Sequence, residues 1–287
     1  MPSYPQARVP VGAVTVWSVS ERDLARHVSA AWSDGEGGAI VTANVDIVRA
    51  ATRDPALAAL IARSEVVVAD GMPVVWAGRI AGAKVPERVT GSSLVFTLSE
   101  AAARAGRSVY LLGGNPGVPE AAARALTARY PGLRVAGTDS PPFGFETDPE
   151  LTERAVAACA AANPDLVLVG LGFPKQERLI ELLRERLPDA WFLGCGAGIP
   201  MAAGEFRRAP GLVQRAGGEW LHRLALEPRR LARRYLRDDL PFALRLLAGA
   251  VHTRLRPTRS TDSTRSTDST RSTDSTRSTN STNSRES

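Results

Sequence analysis

Leu166-Val167-Leu168-Val169-Gly170-Leu171-Gly172-Phe173-Pro174-Lys175-Gln176-Glu177 is the stretch that decides the fold class. Four consecutive apolar residues closed by glycine read as a strand buried on both faces, and the stretch from Lys175 to Leu187 carries its leucines at helical spacing. Pro174 suits the first helical turn. A strand, a glycine turn and a helix make half of a βαβ unit. The same unit recurs outward in both directions. Further strands are expected at Ala39–Thr42, Val66–Ala69, Ser108–Leu112, Leu133–Gly137 and Trp191–Leu193. Helices are expected at Arg22–Trp32, Pro55–Arg63, Ser93–Ala105, Pro119–Tyr130 and Pro149–Ala162. This alternation predicts an α/β protein with a Rossmann-like, mostly parallel sheet flanked by helices. Ligands should then bind in the loops beyond the carboxyl ends of the strands.

Composition bounds the remaining choices. The chain has 287 residues, 44% hydrophobic and 23% charged, the balance of a folded globular protein. Cys159 and Cys195 are too few for a disulfide framework, and His27, His222 and His252 lie too far apart for a Cys/His zinc site, so a reducing compartment and no metal are expected. No basic segment followed by an apolar run opens the chain, and no run of 18 apolar residues occurs; neither export by a signal peptide nor a membrane span is expected. The net charge of +6 is uneven: residues 1–206 carry −3, residues 207–256 carry +8 and residues 257–287 carry +1. The excess points residues 207–256 toward an acidic partner, an anionic membrane surface being preferred. Nucleic acid ranks behind it, because no nucleic-acid motif or aromatic stacking platform accompanies the charge.

Three regions follow. Residues 1–203 form the α/β core. Residues 204–256, Leu- and Arg-rich with no further strand, form a basic helical appendage that acts as a lid and a membrane contact. Residues 257–287, built on an Arg-Ser-Thr-Asp-Ser-Thr hexad that starts at Arg259, have no apolar side chains to bury and are expected to be a disordered tail.

Chemistry-bearing residues cluster where strands end. Thr42 and Asn44 follow one strand and Asp70 another. Taken singly, they read as helix caps and a turn before Pro73. Taken together, they set a hydroxyl, an amide and a carboxylate in one crevice, as binding a sugar and deprotonating its attacking hydroxyl require. Gly113-Gly114-Asn115-Pro116-Gly117 sits between a strand and a helix, where backbone N–H groups can cradle a phosphate or simply turn the chain.

In order along the chain, Thr-Ala-Asn-Val-Asp (42–46), Ala-Asp-Gly-Met-Pro (69–73), Glu-Arg-Val-Thr-Gly-Ser (87–92), Gly-Gly-Asn-Pro-Gly-Val (113–118), Gly-Phe-Pro-Lys-Gln-Glu (172–177), Arg-Arg-Ala-Pro (207–210) and Glu-Trp-Leu-His-Arg-Leu (219–224), then Glu-Pro-Arg-Arg-Leu (227–231), resemble the motifs of WecG/TagA/CpsF glycosyltransferases. The resemblance covers roughly residues 10–250. It implies inverting, metal-independent and cofactor-free transfer of an N-acetylmannosamine-type sugar from a UDP donor to a polyprenyl-diphosphate-linked sugar. The setting implied is cell-surface polysaccharide or teichoic-acid-type biosynthesis at the cytoplasmic face of the bacterial plasma membrane. By motif, Asp70 is the expected general base, with Thr42 and Asn44 lining its pocket. Arg88 and Gln176 fall in motifs that face donor or acceptor. Glu177, Arg207, Arg229 and Arg233, with Gly113 and Gly114, complete the expected substrate-binding set.

The family often has Asp where this chain has Ser93 and Phe-Asp where it has Ile199-Pro200, which reads as altered specificity. A catalytically inactive binding relative of the same fold is the alternative. A nucleotide-sugar oxidoreductase is disfavoured by the absence of G-x-G-x-x-G. The oligomeric state, a homo-oligomer included, is left open.

Overall fold

The computed structural model describes residues 7–205 and 239–255. Six strands form one wholly parallel sheet in the order β4-β3-β8-β7-β5-β6: β3 Gly38–Ala43, β4 Val66–Ala69, β5 Ser108–Leu112, β6 Arg134–Asp139, β7 Leu166–Val169 and β8 Trp191–Gly194. Residues of β3, β4, β7 and β8 are buried throughout, as a sheet covered on both faces requires. Alternating side chains sort onto opposite faces. Ile40, Val66, Val68, Leu111, Leu168 and Leu193 join one core. On the other face, Val41, Val67 and Ala69 enter a second core, and Leu112, Val167, Val169 and Phe192 a third.

Among the described residues the α-helices are α1 Glu21–Asp34, α2 Val45–Arg53, α3 Pro55–Ala62, α4 Met72–Ile80, α5 Gly91–Ala105, α6 Val118–Arg129, α7 Pro149–Ala162, α8 Lys175–Arg186, α9 Gly198–Ala202 and α10 Leu240–Leu255. The expected strands at 66–69, 108–112 and 166–169 and the helix at 149–162 match residue for residue. The strand expected at 133–137 instead runs to Asp139, because a register shift at Val109 and Tyr110 lets Thr138 and Asp139 pair with Leu111 and Leu112.

Sequence reading did not place an N-terminal hairpin, β1 Arg8–Val11 and β2 Val14–Trp17. Each strand has only four residues, one of them Pro10, which weakens the strand signal. Val9, Val11, Val14 and Val16 alternate inward and enter the second core. That core also holds Leu246 of α10, so α10 packs against α4 and α2 within the same body. Arg207, Arg229, Arg233 and the rest of residues 206–238, like the tail from residue 256 onward, lie outside the described residues.

Candidate active site

The carboxyl edge of the sheet gathers several of the expected residues. Asp70 leaves β4 with its N–H donating to Ala43 O at 2.9 Å, which prolongs the ladder by one residue and seats it next to Asn44. Asn44 caps α2, its Oδ1 accepting from Ile47 N at 3.0 Å. Thr42 does not cap a helix; it lies inside β3 opposite Val68. The chain then returns to this edge, because Val89 N donates to Ala69 O at 3.0 Å, so Arg88 arrives beside the end of β4.

Helix α5 starts over the same spot, capped by Thr90, whose side chain accepts from Ser93 N. Gly91 makes that approach feasible. A Cβ there would lie 3.0 Å from Cys195 Cα and 3.2 Å from Thr42 Oγ1. Thr42, Asn44, Asp70 and Arg88 are thus brought together from β3, β4 and the α4–α5 connection. Ser93 turns away: its Oγ donates to Glu21 of α1 at 2.5 Å. Ile199 is fully buried in the first core.

Toward the centre of the sheet, Gln176 ties two loops together. Its Oε1 accepts from Gly172 N and Gly196 N, both at 3.1 Å, and its Nε2 donates to Glu177 Oε1 at 2.9 Å. Both side chains are only 4% exposed. Burial pushes the Glu177 carboxyl above its ordinary value, against the opposing hydrogen bond from Gln176. In this arrangement Gln176 shapes the loops after β7 and β8, and its amide is already occupied.

The loops after β5 and β7 meet where their connections diverge, since β5 leads outward to β6 and β7 leads inward to β8. Gly113 has φ +109°, a region open mainly to glycine, and a Cβ there would lie 2.7 Å from Gly170 O. Gly113 N donates to Asp139 O at 2.8 Å, and Ser140 Oγ donates to Gly114 O at 2.6 Å. Helices α4, α6 and α8 begin at this edge without a side-chain cap, but Val74 N, Val118 N and Gln176 N already donate to nearby carbonyls and Pro73 and Pro119 have no N–H, so few first-turn donors are left for an anionic ligand.

Sequence reasoning missed the loop after β6. Phe143 is fully exposed there, and Lys175 Nζ lies 5.1 Å from its ring centroid while pairing with Glu146. The Pro141-Pro142 pair before an aromatic was the available signal. Glu120 and Asp139 lie on the same side. Asp139 is pushed upward by burial, with the nearby Glu120 adding to the shift against its hydrogen bond from Ser140.

A half-buried carboxylate at a strand end, with a hydroxyl and an amide on the adjoining strand and an arginine on the segment that returns to it, can take a proton from a sugar hydroxyl, and loop N–H groups can hold a diphosphate. Comparison with known proteins identifies the family. The model of the Glycosyl transferase WecG/TagA/CpsF family matches residues 9–256. The chain is 30% identical over 197 residues to the N-acetylglucosaminyldiphosphoundecaprenol N-acetyl-beta-D-mannosaminyltransferase of Bacillus subtilis (strain 168), covering 69% of this chain and 75% of that protein. The chain belongs to the WecG/TagA/CpsF family and is a glycosyltransferase.

Proposed function

We propose that the enzyme transfers an N-acetylmannosamine-type sugar from a UDP donor, with inversion, to N-acetylglucosamine carried on a polyprenyl diphosphate, in the synthesis of a cell-wall polymer of the teichoic-acid type. The observation that carries this reading is Asp70 at the end of β4, seated by its N–H on Ala43 beside the Asn44 cap. Asp70 acts as the general base on the acceptor hydroxyl while Thr42 and Asn44 orient the sugar. One displacement at C1 then inverts that centre, and no enzyme-bound intermediate is needed. Arg88 and the loop N–H groups of Gly114 and its neighbours ahead of α6 stabilise the departing diphosphate. Phe143 and Lys175 offer a ring face and a cation to the donor's base and phosphates.

The acceptor places the enzyme at the inner face of the membrane. Support comes from the +8 charge of residues 207–256 and from α10. Its Leu240, Leu244, Val251 and Leu255 are all exposed and fall within an arc of about 60° at 3.6 residues per turn. Among the described residues no helix is long and apolar enough to cross a membrane. Incubation with a panel of UDP-sugars and a prenyl-diphosphate-linked N-acetylglucosamine, read by mass spectrometry, tests the proposal. A product one N-acetylhexosamine heavier is expected from the UDP-N-acetylmannosamine arm. Absence of product from every arm overturns it.

A further inference from the structure

Hairpin β1–β2, the end of α2, helix α4 and helix α10 enclose a groove of about 710 Å³, well apart from the carboxyl edge of the sheet. Its walls include Val11, Ala77, Ala81, Phe242 and Leu246, and two cations, Arg53 and Arg245, border it. Among the described residues neither guanidinium has a carboxylate partner. Small-molecule sites commonly enclose about 300–1,000 Å³ and combine apolar walls with a few placed polar groups. We propose that this groove holds the isoprenoid chain of the acceptor, with Arg53 and Arg245 on its diphosphate. The proposal rests on the acceptor named above.

Three observations select this occupant. The apolar walls suit a hydrocarbon chain, and the unpaired arginines suit an anion at its head. The groove is also set at a matching distance from the chemistry. Helix α2 starts beside Asn44 and ends at Arg53, a rise of about 12 Å at 1.5 Å per residue. A hexosamine ring and a diphosphate, the two groups between the attacked hydroxyl and the first isoprene unit, span a comparable length.

The test uses the full-length enzyme and two probes. One is an N-acetylglucosaminyl prenyl diphosphate made with one, two, four or eleven isoprene units; the other is a benzophenone-bearing prenyl diphosphate for photolabelling. In the wild-type enzyme KM should fall with each added unit by on the order of tenfold until the groove is filled, then level off. The photolabel should map to peptides containing Ala77–Ala81 and Arg245–Ala250.

Gly249 borders the groove, and a Cβ built there meets nothing within 4 Å, so Gly249→Phe should fill the space without disturbing α10. That variant should lose the long-chain advantage and the photolabel together, with an unchanged circular dichroism spectrum. Arg53→Gln with Arg245→Gln should raise KM for every chain length. A KM independent of chain length, or a label placed elsewhere, overturns the proposal. Label displaced by phosphatidylglycerol vesicles but not by unlabelled prenyl diphosphate assigns the groove to membrane lipid and also overturns it. Wild-type enzyme that labels in the groove yet transfers no sugar defeats the proposed function and leaves the groove standing.

Discussion

Asp70→Asn isolates the chemistry from the packing, because it keeps the size and most of the hydrogen bonding of the side chain. Turnover should fall by about 10²–10⁴ with donor affinity retained, as loss of a general base predicts. Steady-state kinetics beside calorimetric UDP binding measure the two effects, and unchanged turnover would remove Asp70 from the reaction. Glu177 yields a different prediction. Its carboxyl sits above the ordinary 4.5, chiefly because it is buried. A carboxyl that binds its proton more tightly when folded stabilises the protein at low pH, and that stability is lost as pH rises from about 4.5 through the raised value. Glu177→Gln accepts the same bond from Gln176 without titrating. The Tm of the variant should therefore gain on that of wild type from about pH 4.5 toward neutrality; parallel profiles would contradict a raised Glu177 carboxyl.

Helix α5 shows local preference and packing in opposition. Gly91→Ala improves helix propensity by less than the roughly 1 kcal/mol of a helix interior, because Gly91 is the first residue of α5, yet its Cβ would press on Cys195 and Thr42, and overpacking typically costs about 1–3 kcal/mol. The expected result is a small fall in Tm with a larger fall in kcat, because the displaced helix start moves Thr42 and Arg88. A rise in Tm with full activity would show that the approach is loose. At the opposite edge of the sheet, Asp165 joins β5 to β7. Its Oδ2 accepts from Ser108 N at 2.7 Å and Ser108 Oγ at 2.8 Å, and its Oδ1 from Arg107 at 3.0 Å. Burial raises its pKa, but these bonds outweigh it and hold the carboxyl below 3.8. A depressed carboxyl gives stability that is present above its unfolded value and lost as pH falls through the folded one. Asp165→Asn should cost about 1–3 kcal/mol at neutral pH and nothing at the acid limit, as urea titrations at the two pH values would reveal.

For the whole molecule, the uneven charge predicts how it meets lipid. Binding to anionic liposomes should weaken steeply with salt, since surface attraction decays within about 8 Å at physiological ionic strength. Replacing Arg229, Arg230, Arg233 and Arg234 with Glu should abolish sedimentation with such liposomes. Removing the chain from Arg259 onward, where charges nearly cancel, should leave it intact. Persistent binding by the charge-reversed protein would move the contact to the apolar stripe of α10.

The parallel sheet was legible from residue order alone. Doubly buried strands such as Leu166–Val169 are near-continuous apolar runs, and polar Asn44, Asp70 and Arg88 follow or lie between such elements in every reading of the chain. Which position each strand takes in the sheet was not legible, because β8 enters between β3 and β7, and its pairing with β3 joins residues as far apart in the chain as Gly38 and Trp191. The same holds for Gln176, a polar residue near a helix start by sequence and a buried clamp on two loops in space. Local preference acts over a few residues and so writes strands, helices and turns into the sequence. Burial, register and the meeting of Phe143 with Lys175 depend on which surfaces exclude water together, and only the folded chain decides that.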